Sequence, residues 1–226
     1  MTNTEEDGVS KPWRDMQEGD GWRMYLGDCR EVLPTLGACD LVLTDPPYNV
    51  GIDYGEHTND RMTRDEFIAW AREWFTACRS KSKTVTIFGQ ARLPDYAVIE
   101  PWKWLLCWHK PAAMGRSPVG FCSWEPVAMW GDGSKAGMTD HFVAPIVVHD
   151  DVGHPCPKPV RAMRGVLDRF PDAATILDPF TGSGTTGVAC IETGRKFVGI
   201  EIDEGYFRTA CNRLRSATPC LFGAKT

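Results

Sequence analysis

Nine cysteines are spread through the 226 residues, yet no two of them form a Cys-x-x-Cys pair. That absence argues against a zinc ribbon or a dithiol redox motif, and no metal is expected. Most of the cysteines stand in apolar segments, where a free thiol acts as a small hydrophobe, and a reducing cytoplasm suits them. No apolar run reaches the length of a membrane span, so no membrane partner is expected. The opening residues, MTNTEEDGVSKPW, lack the charged-then-apolar pattern of a secretory leader. They read as a loose tail, taken as 1–15. Basic residues are not in excess either: 25 Lys and Arg stand against 30 Asp and Glu, a net charge of −5. Tight non-specific binding to nucleic acid is therefore not expected, because phosphate contacts need cations. Local distribution matters more than the total, and Arg79, Lys81 and Lys83, like Lys158, Arg161, Arg164 and Arg169, form basic clusters that serve equally as solvated helix faces. Internal repeats and low-complexity segments are missing as well, which leaves one globular domain over 16–226.

What the chain does contain is an alternation of short apolar strands and helical patterns. Strands are predicted at Trp22–Leu26, Asp40–Thr44, Thr84–Phe88, Lys103–His109, Pro126–Trp130, Thr175–Asp178 and Lys196–Ile200. A helix over Thr63–Arg79 opens with a capping box, Thr63 and Glu66, and carries Phe67, Ile68, Ala71, Trp74, Phe75 and Cys78 on one face. Further helices are predicted at Pro159–Phe170, at Gly184–Thr193, and from Asp203, which can cap the last of them. The alternation implies an α/β fold with a doubly wound sheet, mostly parallel, with an antiparallel edge strand. Two stretches break the rhythm, Asn49–Met62 and Gly131–Cys156. Loops of that length in a compact domain are more often functional than idle.

One of two motifs is TILDPFTGSGTTGVACIETGRKFVGIEID, Thr175 to Asp203. A strand ends in Asp178, a glycine-rich turn (Thr181 to Thr186) leads into a helix, and a second strand ends in Glu201. Glycines let backbone approach a ligand, and a helix N-terminus offers free N–H groups. Glu201 lies at the offset from Gly182 at which an acid on the second strand bonds ribose hydroxyls. Gly-Thr-Thr replaces the Gly-Lys-Ser/Thr of a Walker loop, so its phosphate-binding lysine is missing. On this motif alone, a nicotinamide dinucleotide remains a candidate ligand.

The other motif decides between cofactors. In DLVLTDPPYNVG, Asp40 to Gly51, a buried strand runs into Asp45-Pro46-Pro47-Tyr48. An exocyclic amine on a nucleobase is a poor nucleophile because its lone pair is delocalised into the ring. Two acceptors on its N–H groups turn the nitrogen toward tetrahedral geometry. Asp45 supplies a carboxylate, Pro46 a carbonyl without a competing N–H, Pro47 stiffens the turn, and Tyr48 offers a flat face for an extruded base. Positioning then does most of the catalysis, with neither a metal nor a covalent nucleophile. The bland alternative is a strand ending in a rigid turn with Asp45 bonded locally.

With both motifs present, the chain resembles the amino-methylating DNA methyltransferases that use S-adenosylmethionine, in the circularly permuted β class whose catalytic motif precedes the cofactor motif. GDCREVLPTLGACDLVLTDPPYN (Gly27–Asn49), WHKP (Trp108–Pro111), SWEPVAMW (Ser123–Trp130), HPCPKPVRAM (His154–Met163), LDPFTGSGTTGVAC and GRKFVGIEID carry the resemblance. It implies a Rossmann-like methyltransferase sheet, with a catalytic half over 22–130, a short target-recognition insertion over 131–153 and a cofactor half over 154–216. It implies that Asp45, Pro46, Pro47 and Tyr48 hold a flipped base. Asp178, Phe180, Thr181, Gly182, Ser183, Gly184, Thr185 and Thr186, with Asp203, would surround the cofactor, which leaves as S-adenosylhomocysteine. Glu201 would bind its ribose, Asp28 its adenine side, and Lys158 would line its pocket. For Asp28 the plain alternative is a helix cap. Double-stranded DNA is the implied partner, in the cytoplasm of a bacterial or phage-infected cell, and the family admits homodimers.

Asp rather than Ser at position 45 leans to adenine N6 over cytosine N4 by the same resemblance. An RNA adenine or protein side-chain amino-methyltransferase is a further alternative, and an inactive nucleotide-binding regulator would need a broken motif. The pairs Pro155-Cys156 and Pro219-Cys220 do not follow a strand at the crevice, which disfavours a cysteine-dependent cytosine-C5 enzyme. A short recognition segment suggests a short or relaxed target site, or recognition shared with a partner, and Asn49–Met62 is a candidate lid.

Overall fold

The computed structural model describes residues 11–51, 61–89, 91–111, 113, 115–118, 120–133, 137–146 and 158–219. Among them the chain forms β1 (Asp15–Gly19), β2 (Trp22–Leu26), α1 (Cys29–Val32), a 3-10 turn (Leu33–Thr35), β3 (Leu41–Thr44), α2 (Arg64–Lys81), β4 (Val85–Phe88) and α3 (Leu93–Ile99). There follow β5 (Trp104–His109), β6 (Arg116–Ser117), β7 (Gly120–Phe121), β8 (Trp124–Trp130), β9 (His141–Val143) and α4 (Val160–Leu167). The chain ends with β10 (Thr175–Asp178), α5 (Thr185–Glu192), β11 (Lys196–Glu201) and α6 (Glu204–Ser216).

Every residue of β3 and of β4 is buried, as expected of parallel strands covered on both faces. Side chains alternate between the faces: Leu41 and Leu43 join the layer formed by α4, α5 and α6, whereas Val42 joins the layer of α1, α2 and α3. Helix α2 begins as its sequence predicts. The Thr63 side chain accepts from the Glu66 amide, and Glu66 accepts from the Thr63 amide at 2.8 Å. Its face of Phe67, Ala71, Trp74, Phe75 and Cys78 is buried.

The sheet order is β1-β2-β11-β10-β3-β4-β8-β5-β9. From β2 to β4 neighbouring strands are parallel; β1 is an antiparallel edge strand on β2, and β8 runs antiparallel between β4 and β5. The chain winds one way from β3 through α2 to β4, and the other way from β10 through α5 to β11. The winding reverses between β10 and β3, so the segments after both strands diverge and leave a crevice at their carboxyl ends. The half carrying β3 comes first in the chain, which is the permuted order.

The tail taken as 1–15 differs in part from its sequence reading. Residues 11–15 are not loose: the Trp13 ring packs edge-on against Tyr25 at 5.0 Å, and Arg14 N donates to the Leu26 carbonyl at 2.7 Å. A polar edge strand is held by its backbone, so its side chains give no alternating signal. Of the stretch 131–153, read as a target-recognition insertion, residues 131–133 and 137–146 are described. Gly131 lies against Lys83 and Thr84, at the amino end of β4, and the chain then rises along the far edge as β9. Gly131 has φ +90°, and a Cβ there would fall 1.7 Å from the Lys83 carbonyl oxygen. A side chain at this position meets backbone, which cannot yield cheaply. Gly131→Ala is expected to lower stability by about 2 kcal/mol or more, measured by urea unfolding; a loss under half that size sinks the steric account.

Candidate functional site

Strand β3 delivers Asp45-Pro46-Pro47-Tyr48 to the carboxyl end of the sheet. Both oxygens of the Asp45 carboxylate are engaged. The Tyr48 hydroxyl donates to Oδ1, and the Lys158 ammonium donates to Oδ2 at 2.8 Å. Lys158 Nζ is also 3.1 Å from the Tyr48 oxygen and 3.5 Å from Glu125 Oε1, while Lys110 Nζ meets Glu125 Oε2 at 3.3 Å. Two acids and two ammonium groups thus alternate through a largely buried site. Burial pushes the Asp45 carboxyl above the usual range, a shift that Lys158 opposes. The Tyr48 hydroxyl is pushed well up by burial and by the two carboxylates. Burial works against the Lys158 ammonium, but Asp45 and Glu125 outweigh it and hold its pKa above the ordinary lysine value.

The backbone of the motif is held from below. Arg92 Nε donates to the Tyr48 carbonyl at 2.6 Å, and its other nitrogens reach the Asn49 carbonyl and Asp95. Asp95 is held in turn by Arg64 at 2.7 Å. Asn49 has φ +52°, a left-handed conformation that asparagine tolerates. Its side chain bonds the backbone of Met62 in both directions, at 2.7 Å each, which joins the two ends of the 49–62 segment. The lid expected of that segment falls largely on 52–60, outside the described residues. Among the described residues no hydrogen bond reaches the Pro46 carbonyl, so this acceptor is available.

The glycine-rich turn lies beside this loop because β10 pairs with β3, Leu177 opposite Val42. Asp178 Oδ1 accepts from Thr44 Oγ1 at 2.6 Å and from the Phe180 amide at 3.0 Å. Burial pushes this carboxyl up to about 6, against the bonds from Thr186 and Thr44. The Phe180 ring is wedged edge-on at 4.9 Å from Trp74. Gly184 takes φ +88° at the head of α5, with its missing Cβ only 3.0 Å from Ala210, and Arg213 anchors Ser183 by its carbonyl at 2.7 Å and its hydroxyl at 3.0 Å. Glu201, at the end of β11, accepts from Gly182 N at 2.7 Å on Oε2 and from Ile202 N and Asp203 N at 2.9 Å on Oε1. Burial pushes it up to about 7 despite these bonds.

The structure therefore brings Asp45, Pro46, Pro47 and Tyr48 together with 178–186 and Glu201 around one crevice. Three expected residues have identifiable partners within the protein. Asp28 caps α1 through the Arg30 amide at 2.8 Å and pairs with the Arg30 guanidinium, and Asp203 caps α6 through the Tyr206 amide at 2.9 Å. Lys158 lies on Asp45 and Tyr48. Glu125, Lys110 and Arg92 were not foreseen. The signal for Glu125 was an acid inside the apolar run SWEPVAMW, since a charge buried in a strand needs a partner.

The model of a family described as DNA methylase matches residues 125–212. YubD of Escherichia coli (strain K12) is 29% identical over 220 residues, which cover 85% of this chain and 89% of that protein. Over the matched stretch 125–212, which holds Glu125, Lys158, the glycine-rich turn and Glu201, the chain is similar to DNA methylases. Among solved structures, the M1.HpyAVI–SAM complex is 22% identical with a TM-score of 0.63, covering 85% of this chain and 98% of that one. The cytosine-N4-specific PvuII DNA methyltransferase is 16% identical with a TM-score of 0.65, covering 91% and 88%. These likenesses show a shared Rossmann-like fold.

Glu201 and Asp178 make stability depend on pH. The folded pKa of Glu201, about 7, lies above its ordinary 4.5, so the folded state holds more protons between the two values. Its contribution is full below 4.5 and is lost as pH rises through about 7. Urea unfolding should show a fall in stability from about pH 5 to pH 8, with a shallower slope in Glu201→Gln. An identical slope in the variant overturns the assignment.

Proposed function

We propose that this chain methylates the exocyclic N6 amine of an adenine turned out of double-stranded DNA, with S-adenosylmethionine as donor. One observation carries the reading. Asp45 Oδ1 already accepts a bond from a polar donor, the Tyr48 hydroxyl, beside the open Pro46 carbonyl and at the rim of the glycine-rich crevice. An amine offering two N–H groups suits that pair of acceptors: one takes the place of the hydroxyl on Oδ1 and the other meets Pro46. Tyr48, released from Asp45, turns its ring to the base.

The crevice fits the donor. Gly182 takes φ +53°, a left-handed conformation that glycine adopts at little cost, and presents bare backbone at the turn. A carboxylate accepts about four hydrogen bonds; Glu201 uses three, so Oε2 retains capacity for a ribose hydroxyl. Phe180, fixed by Trp74, offers an apolar wall. When bound, S-adenosylmethionine supplies the methyl group from a sulfonium whose sulfur keeps the electron pair of the broken bond. Asp45 orients the amine and receives the proton that it sheds. Asp178, bonded by Thr44, holds the glycine-rich turn at a set distance from the catalytic motif.

The preference for adenine comes from Asp45, since members with cytosine activity tend to carry Ser there. Cytosine N4 is the second reading, favoured by the similarity in fold to the PvuII enzyme. The similarity to DNA methylases supports DNA over RNA. The same reading keeps the catalytic and cofactor halves as one domain in the cytoplasm of a bacterial cell.

Two substitutions separate chemistry from cofactor binding. Asp45→Ala should abolish methyl transfer, with S-adenosylhomocysteine affinity within about threefold of wild type by calorimetry; strong residual methylation sinks the acceptor role. Glu201→Ala should weaken S-adenosylhomocysteine binding by roughly 1.5–3 kcal/mol; unchanged affinity rejects the ribose assignment. Mass spectrometry of nucleosides from treated DNA should find N6-methyladenine, and N4-methylcytosine in its place decides for the second reading.

A further inference from the structure

The resemblance set Lys158 along the cofactor pocket, and the methyl-transfer scheme above gives it no part. Its position is unusual. Lys158 stands just before α4, 113 residues from Asp45, and its side chain is 11% exposed. A buried ammonium costs several kcal/mol unless anions repay it. Here two do: Asp45 Oδ2 at 2.8 Å and Glu125 Oε1 at 3.5 Å. The ammonium is also 5.1 Å from the centre of the Tyr48 ring and 5.6 Å from that of Phe88. It thus touches both reactive side chains of the catalytic motif while leaving Oδ1 to the Tyr48 hydroxyl.

From this geometry we infer that Lys158 is a positioning residue for methyl transfer: held between Asp45 and Glu125, it keeps the Asp45 carboxylate ionised and its Oδ1 turned toward the target amine. The inference rests on the methyl-transfer reading above. An acceptor must be unprotonated to take an N–H bond, and Asp45 stands in a buried, acid-rich place. The groups that face it are Lys158 ahead of α4, Tyr48 on its own loop, Glu125 on β8, Asp178 at the end of β10 and Tyr96 on α3. Lys110, after β5, acts on Glu125, and Arg92 binds the loop backbone. Of these, Lys158 is the cation in contact with the Asp45 carboxylate itself. Glu125 has a double part. It fixes Lys158 in place, and its own charge opposes ionisation of Asp45.

This arrangement predicts opposite effects from its two ends. Removing the ammonium, in Lys158→Met, raises the pH at which Asp45 loses its proton. Removing the competing acid charge, in Glu125→Gln, lowers it. A residue that only holds the fold together shifts neither.

The test measures tritiated methyl incorporation into genomic DNA from a host without DNA methylases, between about pH 5 and pH 9, for wild type and three variants. Lys158→Met should lose about a hundredfold in kcat at neutral pH, with the acid limb of its profile moved up by about one unit. Lys158→Arg should recover at least about tenfold of that loss and restore the limb. Glu125→Gln should move the limb down. S-adenosylhomocysteine affinity, read by calorimetry, should stay within about threefold of wild type for all three. Loss of rate with an unshifted limb, or wild-type rates in Lys158→Met, overturns the inference and leaves the methyl-transfer reading standing. Wild-type protein that methylates no DNA amine overturns both. If Lys158→Met does not fold, the direction of the Glu125→Gln shift decides.

Discussion

The bond from Thr44 Oγ1 to Asp178 Oδ1 is the contact on which the rest of the site depends. It joins the last residues of β3 and β10, the two strands between which the sheet changes its direction of winding. The two sequence motifs follow these two residues directly: Asp45 to Tyr48 after the first, the glycine-rich turn after the second. Strand pairing alone fixes the two backbones. The buried side-chain bond also fixes the angle at which each loop departs, because Asp178 Oδ1 accepts from the Phe180 amide as well. With one carboxylate oxygen shared between both loops, neither moves far without the other. That rigidity suits a reaction in which distance and direction do most of the work.

Much of the fold was legible in the sequence because the central strands are short, apolar and buried on both faces. Trp22–Leu26 and Thr175–Asp178 were read to the residue, and the Thr63–Glu66 capping box opens its helix as foreseen. What escaped was held by forces that leave no periodic trace. β1, with the sequence DMQEG, is an edge strand paired through its backbone, α1 has a single turn, and β9 is three residues at the opposite edge. The helical proline at the head of α3, Pro94, reads as a turn in isolation but sits where a missing N–H costs nothing.

The site was legible in the same uneven way. Both motifs are continuous in sequence, so spacing exposed them. The charge network is not: Lys158 meets Asp45 across 113 residues, and Tyr48 meets Glu125 across 77. No local pattern pairs such groups, and a lysine in a proline-rich segment reads as solvated until a buried acid is found beside it. Arg92 escaped for a related reason. Its bonds to the catalytic loop go to backbone carbonyls, which every residue has, so no side chain of that loop points to it.

The two bonds between Asn49 and Met62 carry a consequence for how this site can change over time. They close the segment between them into a ring of the polypeptide whose base is fixed next to Tyr48. The entropic cost of a closed loop grows only with the logarithm of its length, about 0.6 kcal/mol for each doubling. An insertion between Asn49 and Met62 therefore adds little to the cost of closing the ring. The two bonds at its base set where the enclosed chain leaves and rejoins the neighbourhood of Tyr48, whatever its length.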